Sequence, residues 1–377
     1  MSQNSTTVCH IASGDLWAGA EVQVFHLLNG LAQSGKLRPC AVLLNRGKLA
    51  DRLEQLSIET LVVEEQLHSI WTIRARVRDF IQKQQVSILH SHRYKENIIA
   101  SSIATAKPLK ALVQTVHGIP EPQAGLKKAK MSVYQQLNRA VSRAKFSAIV
   151  AVSKEIEAKL AKLYPVEIVH AIHNGIDIPD TCSAEEKSAA RKDFGLSNDD
   201  FVFTAVGRMV PVKGFDVLLS AVAKLPTDNK IKLLLAGDGP ELQLLKELSD
   251  SLKLTCVSFL GYQSDIRKVF AAADALVMSS HHEGIPLTLL EAMALELPTV
   301  ATAVGGIVEV VEHELNALLV SDNDPAALAA AIQRLRSDEA LCKRLGAEAR
   351  TRVSREFSID KIVNQYEILY GSLVPNT

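Results

Sequence analysis

No apolar stretch in the 377 residues reaches the roughly 20 needed to cross a bilayer, which excludes a helical membrane span. The polar opening MSQNSTT has no basic-then-apolar pattern, so nothing reads as a secretory signal. These absences set the expectation of a cytoplasmic protein. Cysteine is sparse: Cys9, Cys40, Cys182, Cys256 and Cys342 are scattered without paired spacing, which argues against a disulfide framework or a cysteine metal site. They read as reduced, structural thiols. Neither an internal repeat nor a low-complexity segment is present, and the complete GxGxxG dinucleotide fingerprint is missing. Net charge is zero, and nucleic acid is not an expected partner.

What is present is enough apolar material, 47% of residues, for two cores of ordinary size. The zero net charge hides an asymmetry: residues 1–170 carry 22 Lys and Arg against 13 Asp and Glu, and residues 171–377 carry 20 against 29. The first half therefore suits contact with something anionic, although solvated faces produce the same imbalance. Short apolar runs alternate with helical patterns, the signature of parallel sheets covered on both faces. Strands are expected at 7–12, 40–44, 86–90, 111–116 and 147–152, then at 201–206, 232–236, 256–260, 273–278, 299–301 and 317–320. The fold class is α/β, two tandem Rossmann-like doubly wound domains. A polar, Gly/Pro/Asp-punctuated stretch at 173–200 marks the boundary, which gives domains at 1–178 and 179–356 and a terminal helix at 357–377.

The stretch 279–309, SSHHEGIPLTLLEAMALELPTVATAVGGIVE, holds an anomaly. An apolar strand leads through Glu283 and Gly284 into a helix for which Pro286 suits the first position and Pro298 the stop. Glu291 lies among Leu289, Leu290, Ala292 and Met293, where a charge is costly unless something hydrogen-bonds it. A rise of 1.5 Å per residue puts it roughly 8 Å from a helix start whose N–H groups attract anions. That separation suits phosphate or sugar oxygens at the helix end and ribose hydroxyls at Glu291; a carboxylate holding a neighbouring loop is the alternative. Arg208 follows the strand FVFTAV and Lys213 precedes the next helix, so the two form a candidate phosphate clamp or are ordinary surface charges.

In the first half, SGDLWAGAEVQ runs from a strand into a helix near Ala20, and Gly14 and Gly19 would let a backbone approach a ligand. His90 and His92 follow one strand and His117 another, at the carboxyl ends where open α/β sheets bind ligands. A metal reading of the histidines lacks the rest of a ligand set. Between Glu121 and Glu155 there is no acidic residue, and 123–146 reads as a basic amphipathic helix. It is either a solvated helix with one core face or a surface for an anionic membrane.

The ordered set SGDLWAGAE, LHSH, TVHG, AVSKEI, HNGID, VGRMVPVKG, LLLAGDGPE, FLGYQSDI and EGIPLTLLEAMALELPTVATAVGGIVEVV resembles the retaining glycosyltransferases of the GT-B fold, family four (glycosyl transferases group 1), over almost the whole chain. The most specific element is the pair Glu283 and Glu291 with seven residues between them. The resemblance implies a donor cleft between two domains and a terminal helix that crosses back to the first. It implies transfer from a nucleotide-diphosphate sugar, first of all a UDP-sugar, to a glycan or lipid-linked acceptor in cell-surface polysaccharide or lipopolysaccharide synthesis, with no cofactor and no metal. Arg208 and Lys213 would hold the diphosphate and Glu291 the ribose. Glu283 with the backbone of Gly284, Ile285, Pro286 and Leu287 would hold the sugar; His117 would stand beside it, and Gly19 would face the phosphates. Two alternatives stay open: a GT-B sugar-nucleotide epimerase, and a non-catalytic sugar-nucleotide-binding subunit. The expected location is cytoplasmic, peripheral at the inner membrane face.

Overall fold

The computed structural model describes residues 6–15, 17–118, 125–226 and 230–374, the side chains of 125–134 excepted. The chain forms two compact units, Met1–Asp177 with Ser358–Thr377, and Ile178–Phe357.

The first unit is built on a seven-stranded sheet of β1 (Thr7–Ala12), β2 (Arg38–Leu43), β3 (Thr60–Val62), β4 (Val86–Ser91), β5 (Ala111–Val116), β6 (Ala148–Ala151) and β7 (Val169–Ala171) in the order β3-β2-β1-β4-β5-β6-β7. Every pairing is parallel. The interior strands are almost wholly buried because helices cover both faces, so most of their residues are apolar; Thr7, His10, His90, Ser91, Gln114 and Thr115 are the buried polar exceptions. The long expected strands are all there. β3 and β7 have no counterpart among the expectations: each is an edge strand of three residues, partly exposed, too short and too little buried to make an apolar run.

The last helix, Ile359–Leu373, belongs to this unit. Its Ile359, Ile362, Val363, Tyr366, Leu369 and Tyr370 join one core cluster with Val8, Leu27, Leu31, Ile88, Val113 and Val150. Gly30 allows the close approach to the Gly19–Ser34 helix, since a Cβ there would fall 2.6 Å from Val363 Cγ2. The Ile359 N–H donates to the Ile176 carbonyl at 2.8 Å, which ties the start of the helix to the same unit.

The second unit carries a six-stranded parallel sheet, β8 (Phe201–Val206), β9 (Ile231–Ala236), β10 (Val257–Gly261), β11 (Ala275–Met278), β12 (Thr299–Thr302) and β13 (Leu318–Val320), ordered β10-β9-β8-β11-β12-β13. In both sheets the strand order reverses beside the first strand, at β1/β4 and at β8/β11. Such a switch point splays the following loops apart and leaves a crevice at the carboxyl ends of the strands. In both doubly wound domains the place of the crevice is therefore fixed by topology.

Candidate active site

In the second unit the crevice receives the loops after β8 and β11. Residues Gly207 and Arg208 leave β8, and a short 3-10 turn, Pro211–Lys213, precedes the Phe215–Val222 helix. Gly214 stands at φ +58° between them, and a Cβ there would lie 2.2 Å from the Ser279 carbonyl oxygen. Only glycine therefore lets the β8 loop lie on the β11 loop. The His281 N–H donates to the Val212 carbonyl at 2.8 Å, and the Ser279 hydroxyl to that of Lys213 at 3.1 Å. Lys213 Nζ then reaches Glu283 Oε1 at 2.6 Å, and the Ser280 hydroxyl donates to the same oxygen at 2.6 Å. Glu283 is buried, Lys213 partly so, and Arg208 is exposed. Behind this loop, the Gly306 N–H donates to the Glu283 carbonyl at 3.0 Å, and a Cβ on Gly306 would sit 2.0 Å from the Gly284 carbonyl oxygen.

The following helix is Leu287–Ala294, and Pro286 is its N-cap, with φ −75° and ψ 120°. That corrects the expectation of Pro286 as the first helical residue by one position, since its ψ is extended and the helical run starts at Leu287. The side chains of Ile285, Pro286 and Leu287 are buried, which leaves only backbone from 284–287 available to a ligand. The first N–H groups of a helix have no intrahelical acceptor, so this loop ends in donors. Glu291 is the fifth residue of the helix and is partly exposed, while Leu289, Leu290, Ala292 and Met293 are buried. The expectation of a carboxylate sunk in apolar surroundings is thereby corrected: it lies on the one stripe of the helix that leaves the core, where solvent offsets part of the desolvation.

In the first unit Gly19 begins the Gly19–Ser34 helix and is exposed; a Cβ there would meet nothing within 4 Å. Glu21, two residues on, is buried and paired with Arg93. Glu96 is buried at the start of the Tyr94–Ser102 helix, and its Oε2 has no hydrogen-bond partner among the described residues. Burial pushes its carboxyl from 4.5 up to about 7. Folding then favours the protonated form, so the contribution of Glu96 to stability is full below about pH 4.5 and is lost as pH rises toward 7, by about 3 kcal/mol. Glu96→Gln is expected to flatten that part of the decline. Urea midpoints measured from pH 5 to 8 would contradict this if wild type and variant lost stability in parallel.

His117 follows β5 and lies 3.0 Å, Nε2 to Nδ1, from His92. Its partners extend further than the sequence pattern reaches. His92 Nε2 meets His10 Nδ1 at 2.9 Å, His10 Nε2 meets the Tyr370 hydroxyl at 3.3 Å, and that hydroxyl meets His90 Nδ1 at 2.6 Å. Burial drives all four imidazoles toward the neutral form, His10 to about 3 and His117 to about 4, with His90 and His92 well below 6.5. His10, His90 and His92 lie close enough to hold a metal ion, yet each of their six ring nitrogens already has a hydrogen-bond partner within the chain. The one signal for His10 in the sequence is a histidine inside the apolar strand TVCHIA.

Of the basic segment 123–146, residues 123 and 124 and the side chains of 125–134 lie outside the described residues. The helix is there, Gly125–Lys145, and near its end Arg143 Nε and Lys145 Nζ donate to the carbonyls of Leu163 and Ser101. These two cations brace their own unit. No described helix is long and apolar enough to cross a membrane.

Residues 186–352 match the family profile described as glycosyl transferases group 1, and residues 17–179 match that of glycosyltransferase family 4. The chain is 28% identical over 303 residues to N-acetyl-alpha-D-glucosaminyl L-malate synthase of Bacillus anthracis, covering 79% of this chain and 78% of that one. It is likewise 28% identical over 306 residues to UDP-Gal:alpha-D-GlcNAc-diphosphoundecaprenol alpha-1,3-galactosyltransferase of Escherichia coli, 78% of each. The crystal structure of Anabaena HepE in complex with UDP and glucose superposes with a TM-score of 0.85 at 22% identity, over 97% of this chain and 99% of the other, and shows the shared GT-B fold. These names do not favour the epimerase alternative. With one profile on each half and a GT-B architecture throughout, the chain belongs to glycosyltransferase family four and is a glycosyltransferase of the retaining class.

Proposed function

We propose that the chain transfers a hexose from a UDP-sugar to a glycan or lipid-linked acceptor of cell-surface polysaccharide or lipopolysaccharide synthesis. The observation that carries this reading is the Lys213–Glu283 contact of 2.6 Å at the β8/β11 switch point, a cation and a carboxylate at the mouth of a helix. In support stand the E. coli relative, whose name specifies UDP-Gal and a diphosphoundecaprenol, and HepE, whose structure contains UDP and glucose. Arg208 and Lys213 bind the diphosphate and Glu291 the ribose hydroxyls. Glu283 and the backbone of Gly284 to Leu287 bind the sugar, His117 stands beside it, and Gly19 gives the phosphates room.

The bond between the anomeric carbon and the diphosphate oxygen breaks, leaving oxocarbenium character on the sugar and a growing negative charge on the phosphate. Fixed cations and helix N–H groups stabilise that charge without rearranging. Glu283 already accepts bonds from Lys213 and Ser280. We therefore assign it to holding the sugar and the clamp lysine and not to forming a glycosyl-enzyme. The acceptor hydroxyl attacks on the face the phosphate leaves, and its proton passes to the departing phosphate oxygen. No cofactor and no metal enters any step.

The protein is further proposed to work in the cytoplasm at the inner membrane face, held peripherally through 123–146. Co-sedimentation with anionic vesicles, but not with neutral ones, is expected, and should be lost on Lys127→Glu/Lys128→Glu/Lys130→Glu. Equal sedimentation with both kinds of vesicle would contradict it.

A further inference from the structure

The hydrogen bonds around His117 form one continuous line: His117 Nε2 to His92 Nδ1, His92 Nε2 to His10 Nδ1, His10 Nε2 to Tyr370 Oη, Tyr370 Oη to His90 Nδ1, and His90 Nε2 to Thr115 Oγ1 at 2.7 Å. Each imidazole between the ends enters the line by one ring nitrogen and leaves by the other. A neutral imidazole has one N–H and one lone pair, so a contact between two such rings works only if one donates and the other accepts. The direction of one bond therefore dictates that of the next.

Two arrangements satisfy every contact and also use the Tyr370 proton within the line. In one, His117, His92, His10 and His90 all carry the proton on Nε2; His10 donates to the Tyr370 oxygen, Tyr370 donates to His90, and His90 to Thr115. In the other, all four carry it on Nδ1 and every bond is reversed, with Thr115 donating to His90 and Tyr370 to His10. A mixed set leaves two N–H groups, or two lone pairs, facing each other in a buried place, or, where His10 and His90 both donate to Tyr370, leaves the buried Tyr370 O–H with no acceptor in the line. The cost of an unmade buried hydrogen bond, about 1–3 kcal/mol, disfavours such mixtures. The rings stack as well, His90 on His92 with centroids 4.6 Å apart and His10 on His92 at 5.2 Å, so none can flip independently of its neighbours. Since burial keeps all four neutral, no extra proton disturbs the alternation.

We propose that His92, His10 and Tyr370 are positioning residues that set which ring nitrogen of His117 carries the proton, and so whether its Nδ1 offers the donor sugar a lone pair or an N–H. Tyr370 lies on the last helix of the chain, so the tautomer of His117 depends on a residue 253 positions away in sequence. The functional part rests on the placement of His117 at the sugar, under the proposed function; the tautomer coupling does not.

The test is long-range nitrogen–proton correlation NMR on full-length protein labelled at histidine nitrogens, in which the two neutral tautomers have distinct shifts. In the wild type, His10, His90, His92 and His117 should report one common tautomer. Tyr370→Phe, which keeps the ring and removes the hydroxyl, should turn the His117 signal into a mixture of both and lower kcat about tenfold at little-changed donor KM, the effect of one misdirected hydrogen bond. Should that variant not fold, Thr115→Val removes the partner at the far end and serves the same purpose. Unlike tautomers among the four rings of the wild type would overturn the proposal, as would an unchanged His117 signal in a folded variant, or a stoichiometric metal with metal-shifted imidazole signals. If the coupling holds but His117→Ala transfers sugar normally, the placement of His117 at the donor fails while the hydrogen-bond line stands.

Discussion

Lys213→Ala is expected to lower kcat by about two to three orders of magnitude, the usual effect of removing one fixed electrostatic partner of a developing charge. The fold holds this lysine in place at both ends. Its stem lies over Gly207, with Cε 3.5 Å from where a Cβ would be, and its ammonium is anchored by Glu283. Removing it also leaves the buried Glu283 carboxylate with Ser280 as its hydrogen-bonding partner, and an uncompensated buried charge costs up to about 3–5 kcal/mol. The double variant Lys213→Ala/Glu283→Gln removes that charge and is expected to recover stability without recovering turnover. Arg208→Ala separates the two effects from the other side. Arg208 is exposed, so its loss should leave the urea midpoint unchanged while kcat falls by a similar factor. Near-normal transfer in both single variants would end the assignment of the diphosphate to this loop.

Glu291→Ala is expected to weaken UDP binding by about ten- to a hundredfold, the equivalent of one or two hydrogen bonds to a charged acceptor. Folding should not suffer. The residue lies on the partly exposed stripe of the Leu287–Ala294 helix, and alanine is the better helix former. Calorimetry with free UDP separates nucleotide binding from sugar binding, which no turnover measurement does. An unchanged Kd would return Glu291 to the role of a structural carboxylate, the alternative that its sequence neighbours leave open.

Most of the fold was legible because parallel, doubly covered sheets write their interior strands as apolar runs. β1, β5 and β8 have the bounds expected of TVCHIA, ALVQTV and FVFTAV. β3 and β7 were not legible, since edge strands of three residues need no such run. The residues of the β8/β11 rim stood out by type and spacing, but the contact between Lys213 and Glu283 did not. They are 70 residues apart, and only the strand order, which sets β11 beside β8, brings them together. The same holds for the histidines. His90, His92 and His117 were visible at strand ends, whereas His10 and Tyr370 join them because β1 lies next to β4 and the last helix packs on that sheet. Gly19 shows the reverse case. No described atom lies within 4 Å of where its side chain would be, so packing does not explain the glycine, and the approach of the donor phosphates is what we propose for it.

That this chain moves a sugar from a UDP-sugar with its anomeric configuration kept is tested most directly by following UDP release and the anomeric proton of the product by NMR. The reaction would contain purified protein, a panel of UDP-, GDP- and ADP-sugars and a lipid-linked glycan acceptor. Turnover with a UDP-sugar is expected, with one UDP released per sugar transferred and a product of the donor's configuration. An inverted product, or turnover confined to donors of another base, would contradict it.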